Sequence, residues 1–139
     1  MKARTFDELG YAVHTNNELP MMLVGEKPLA MFHAVDFELP NEDFVPEVAF
    51  APHVASGMMV RDSFELDGGF AESIGRDVRI VHVLFALRDE AWRIPAMRLL
   101  LSQHSRTKEW NETCERMEGA LLGYSDEQND EWCEARFAS

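Results

Sequence analysis

Between residues 80 and 87 the chain reads Ile-Val-His-Val-Leu-Phe-Ala-Leu, apolar at almost every position. Drawn as a strand, it sets Ile80, His82, Leu84 and Ala86 on one face and Val81, Val83, Phe85 and Leu87 on the other, which predicts a central strand covered on both sides. The run 57–66 alternates instead. Met58, Val60, Asp62 and Phe64 share a largely apolar face, while Met59, Arg61, Ser63 and Glu65 share a polar one, the pattern of an antiparallel strand with one wet side. Upstream, the apolar runs 21–24 and 29–35 flank Gly25-Glu26-Lys27-Pro28 and predict a hairpin. A short strand at 48–51, stopped by Pro52, completes the set. Asp67-Gly68-Gly69 predicts a turn, with one helical turn at 70–74, and residues 7–17 carry too weak a pattern to assign.

Past Arg88 the period changes to that of a helix. Pro95 suits an early helical position because its fixed φ and missing N–H are harmless in the first turn, so a helix is predicted over 95–103, with 89–94 adding a distorted turn. At 100° per residue, Ala96, Leu99, Leu100 and Gln103 fall on one side and Met97 and Leu101 on nearly the opposite one, so this helix is expected to need cover on two sides. Trp110, Cys114, Met117 and Leu121 then mark an apolar seam on a helix over 108–122, which Gly123 ends. Ser125 and Gln128 have the spacing of a capping box and open a last helix, whose acids Asp126, Glu127, Asp130, Glu131 and Glu134 line one face. Strands first and helices last predict an α+β fold: a mainly antiparallel sheet of four to five strands followed by two to three C-terminal helices packed on one face. With 139 residues and no repeat or linker, a single domain over 1–139 is expected.

Composition narrows the class. An apolar fraction of 46% suits a globular chain rather than a disordered one. Cys114 and Cys133 have neither C-x-x-C nor zinc-finger spacing, and residues 1–19 carry no signal-peptide core, so a reduced, cytoplasmic protein is expected, with the Asn111-Glu112-Thr113 sequon idle. Of the two thiols, Cys133 is expected to be the more exposed. No run approaches the roughly 18 consecutive apolar residues of a membrane helix.

The net charge of −12 is unevenly spread. Residues 1–70 hold four bases against twelve acids, residues 76–108 hold seven bases against three acids, and residues 109–139 hold two bases against nine acids. A basic belt therefore lies between acidic blocks. Pairing with those blocks, within the fold or across a dimer, is the favoured reading, because surface charge mostly serves solvation and pairing. Nucleic-acid binding is disfavoured by the acidic remainder and by the lack of a recognition signature.

Histidine is the residue type whose placement invites chemistry. If neighbouring strands pair in register, His33 and His82 approach on one sheet face, and His53 or Asp62 would complete a metal or acid–base group. The carboxylate pairs Glu42-Asp43, Asp62 with Glu65, and Asp89-Glu90 arise by composition in an acidic chain. No nucleophile elbow, Walker loop or calcium loop is present. The leading expectation is a small cytoplasmic binding or accessory protein, oligomeric as a homodimer and open to a protein partner. His82, Arg61, Arg93, Arg98, Met97 and Leu101 are nominated for the binding surface; catalytic residues and cofactor stay unassigned. The rival is a small enzyme, metal-dependent in one version, with a pocket between sheet and helices near His33, His53 and His82. A third reading is an acidic decoy that binds a basic protein through Asp126, Asp130 and Glu134.

Overall fold

The computed structural model describes residues 16–137. Its centre is β3 (Arg76–Leu87), paired antiparallel with β1 (Leu29–Val35) on one side and β2 (Met59–Ala71) on the other. The strand with two apolar faces is the middle one. Leu29, Leu84, Ala86 and Phe64 point to one face and meet Ile94, Met97, Leu100 and Leu101 of α3 (Arg93–Thr107), with Cys114, Leu121 and Leu122 of α4 (Glu112–Leu122) at the margin. Ala30, Val83, Phe85 and Met59 point to the other and meet Met22 of α1 (Glu18–Leu23) and Phe50 of α2 (Glu47–Ala55). The last helix, α5 (Asp126–Phe137), packs on α4.

The fold is α+β, but its sheet has three strands rather than four to five. Helices also lie before, between and after the strands and cover both faces, not one. Two of the expected strands are helices. Residues 21–23 belong to α1 and Val24 caps it, with Leu19 and Met22, three apart, turning the same side toward the core. A four-residue apolar run carries no period, so tertiary packing decides its form. Residues 48–51 belong to α2, where Phe50 and Val54 face the core at i, i+4 and Pro52 sits on the exposed side. Both Glu42 carboxylate oxygens accept from the Val48 N–H, at 2.9 and 3.2 Å, so a side chain outside the helix satisfies a free donor at its start.

The chain reverses at residues 72–75, not at Asp67-Gly68-Gly69, which forms a bulge inside β2. Gly68 lies flat on the neighbouring strand there. A Cβ at this position would come within 3.0 Å of the Val78 and Ile80 side chains, so the segment stays in the sheet instead of turning away. The lead-in at 7–17 lies outside the described residues except for Asn16 and Asn17, which precede α1.

The C-terminal helices follow the sequence closely. Gly123 takes φ 92° and ends α4 in the left-handed region that glycine adopts without strain. Ser125 Oγ accepts from the Gln128 N–H at 3.1 Å while Gln128 Oε1 accepts from the Ser125 N–H at 2.8 Å, the reciprocal pair that starts α5. α4 starts at Glu112 rather than Lys108, with Asn111 as its N-cap. Met117 is exposed, whereas Cys114 and Leu121 of the expected seam do face the core.

Candidate functional site

In the antiparallel register His33 stands opposite His82, and Phe64 stands opposite His82 from the other side. The three rings form a row across the sheet. His33 and His82 centroids are 5.7 Å apart, and His82 stacks on Phe64 at 5.1 Å with 23° between planes. From α3, the Arg98 guanidinium sits 5.5 Å from the Phe64 centroid, in cation–π range. His82 Nδ1 is buried without a hydrogen-bond partner. Burial, and secondarily the neighbouring His33, push the His82 imidazole down to about 4, so it is neutral at physiological pH.

The convergence of His33 with His82 agrees with the sequence reading; the third member does not join them. His53 belongs to α2, which packs against the opposite sheet face, and Leu29, Phe64, Leu84 and Ala86 of the sheet pack against Ile94, Met97, Leu100 and Leu101 of α3. Among the described residues, no three His, Cys, Asp or Glu side chains come together to hold a metal.

The nominated binding residues separate. Met97 and Leu101 are buried in the core, because Ile94, Met97, Leu100 and Leu101 make one broad inward stripe instead of two opposed ones. Arg61 is held by Glu47 on α2 through two bonds of 2.7 and 2.8 Å. Arg93 pairs with Glu90 at 2.9 Å and donates to the carbonyls of Ala120 and Leu121 at the end of α4. Of the belt, Arg76 pairs with Asp36 and Arg79 with Glu65, so a large part of it neutralises acids of its own fold. On α5, Asp130 is taken by Arg116.

Three charged groups escaped the sequence reading. Lys27, expected in a turn, is buried, donates to the Leu122 carbonyl at 2.7 Å and lies over the Tyr124 ring; burial pushes it down to about 8, while Glu18 pulls upward. With Arg93 it places two cations on the carbonyl end of α4, where the helix dipole favours them. Glu115 is buried between α4 and α5, accepting from the indole N–H of Trp110 and of Trp132 and from Arg136 at 3.1 Å. One turn on, burial and then the Glu115 charge push Glu118 up to about 7. Only the presence of two tryptophans and an arginine within one or two helices of Glu115 hinted at this cluster. Cys133 is buried and Cys114 half-buried, the reverse of the expected order, because α5 turns Cys133 inward onto α4.

His82 and Glu118 give the chain two opposed pH dependences. The folded state lowers the His82 pKa from 6.5 to about 4, so between these values the unfolded chain binds more protons and stability rises with pH. It raises that of Glu118 from 4.5 to about 7, so there the folded chain holds more protons and stability falls with pH. Each shift corresponds to up to about 3 kcal/mol, and the two offset each other from about pH 4.5 to 6.5. Urea denaturation across this range should show a His82→Asn variant losing stability as pH rises and a Glu118→Gln variant gaining it. Parallel profiles for the two variants would refute the assignment.

The outer face of α3 carries apolar side chains that the core does not use. Trp92, just before its first turn, and Leu99 are 56% and 70% exposed and seven positions apart, on the same side with Pro95 and half-buried Ala96. Around them the segment from Arg88 to Lys108 holds five bases and two acids in an otherwise acidic chain. Among the described residues no helix is long and apolar enough to cross a membrane. Comparison with protein-family models, curated proteins and solved structures finds no match to this chain.

Proposed function

We propose that the protein acts by binding, as a homodimeric cytoplasmic accessory protein whose α3 outer face docks a protein partner. The exposed Trp92–Leu99 side of α3 carries this reading: two large apolar side chains, Leu99 on the helix and Trp92 at its N-cap, stand in water, where they cost solvation and contribute nothing to the core. The surrounding basic residues favour a partner segment with apolar anchors flanked by acids, since complementary charge sets orientation and encounter rate. Other nominated groups serve the frame instead: Arg61 and Arg93 are paired, Met97 and Leu101 are buried, and His82 is stacked between its neighbours.

A photo-cross-linking amino acid in place of Leu99 tests the face. One partner species should be trapped in cells and should disappear when Arg98 and Arg106 are changed to glutamate. Trapping of nothing, or of species indifferent to charge reversal and salt, would contradict a docking face here.

A further inference from the structure

The outer edge of β2 carries a pattern that its position in the sheet does not require. The Arg88 N–H donates to the Met58 carbonyl at 3.0 Å across the β2–β3 pair, which fixes the even-numbered residues of β2 as those whose backbone groups point to β3. Arg61, Ser63 and Glu65 therefore turn their N–H and C=O groups outward. Two side-chain bonds agree with this: the Ser63 N–H is taken by its neighbour Asp62 at 2.8 Å, and the Glu65 carbonyl accepts from Arg79 at 3.4 Å. Among the described residues no strand pairs with this edge.

Building on the homodimeric reading above, we infer that two copies of the chain join antiparallel through the β2 edge, centred on Ser63, into one six-stranded sheet. An antiparallel edge pair matches outward residues only with outward residues. Centring on Ser63 sets Arg61 of each copy against Glu65 of the other, with both side chains on the α2 side of the sheet. The adjoining ion pairs extend the match. Glu47–Arg61 in one copy meets Glu65–Arg79 of the second, so charge alternates along four residues across the junction, twice by symmetry. On the α3 side the same register sets exposed Val60 against half-buried Leu66.

Neighbouring symmetric registers are poorer. Centring on Arg61, Asp62 or Glu65 places like charges directly opposite each other, which destabilises a strand pair, while centring on Phe64 sets Glu65 against Ser63 and leaves Arg61 to meet Asp67 only at the bulge. The bulge at Asp67 ends the regular edge and limits pairing to the stretch around Ser63. Asp62 must release the Ser63 N–H for the pair to form, so in the isolated chain its carboxylate satisfies a donor that the second copy's carbonyl satisfies in the dimer.

Sedimentation equilibrium on the full chain, with charge-swapped variants, tests this pairing. Arg61→Glu and Glu65→Arg alone should each weaken dimerisation at least tenfold, and the double variant should recover most of the loss. Ser63→Pro should also yield monomer while keeping the wild-type circular dichroism, because the N–H it removes takes no part in the β2–β3 ladder. Amide exchange at Ser63 should slow as concentration rises. A dimer that is indifferent to the single charge changes and to Ser63→Pro overturns the β2 junction and leaves the homodimer standing. A wild-type monomer at tens of micromolar overturns both. Protection of the Ser63 amide that does not vary with concentration would mean that residues of the same chain cover the edge, and would also overturn the inference.

Discussion

Replacing Phe85 with alanine should lower the unfolding free energy by about 4 kcal/mol, the range for a fully buried phenylalanine. Phe85 is 1% exposed in the central strand and stacks on Phe50 of α2 at 4.2 Å with 18° between the rings, while Phe32 of β1 meets it edge-on at 6.1 Å. The side chain thus joins two strands to the helix that links β1 and β2. Its removal loses buried apolar area and leaves a cavity whose walls, a sheet and a short helix, cannot close independently. Urea denaturation followed by far-ultraviolet circular dichroism measures the loss. Phe70→Ala, near the exposed hairpin tip, should stay within about 0.5 kcal/mol of wild type. Equal losses at the two positions would contradict the core assignment.

Glu115→Ala should cost about 3 kcal/mol, for a different reason. The carboxylate satisfies two indole donors and a guanidinium in one place, so its loss leaves Trp110 and Trp132 as half-buried donors without that acceptor and frees Arg136 from the α4–α5 junction. Glu115→Gln should be milder, because an amide oxygen still accepts, although without charge assistance. Tryptophan emission should shift to the red in the alanine variant as the indoles meet water. The Glu118 carboxyl should titrate lower, since the Glu115 charge is one of the two causes that raise it. A loss below about 1 kcal/mol with unchanged emission would mean that other contacts hold the two helices together.

Which parts of this fold were legible in the sequence follows from the range of the interactions involved. The double-faced run 80–87 announced the middle strand because burial on both faces leaves no polar position, and the Ser125–Gln128 spacing announced a helix start because that motif is closed within four residues. The His33–His82 pair was legible as a consequence of strand register. Residues 21–24 and 48–51 were not, since runs this short fit either period and the core beneath the sheet decided them. The position of the β2–β3 turn was hidden for a related reason: Gly68 signals a turn locally, yet it serves close packing on Val78 and Ile80.

Charged residues were the least legible. Lys27 lies 95 positions from the Leu122 carbonyl it bonds, and Glu115 gathers donors from α5 and from the loop before α4. Among 25 acidic and 13 basic side chains nothing local distinguished these two groups as buried. The helix α3 was legible as having more apolar surface than one face can hold. Which side stays exposed depended on the tilt against the sheet, and Leu99 rather than Met97 or Leu101 is the residue left in water. That exposed side supports the binding reading, and the outward backbone of β2 supports the dimer.

Native mass spectrometry of the full chain, purified without chelator, tests the binding account most directly because subunit number and bound mass are read together. The expected result is a dimer whose mass equals that of two chains, with no stoichiometric metal or small molecule. A monomer carrying one metal ion or one tightly held small molecule per chain would contradict it.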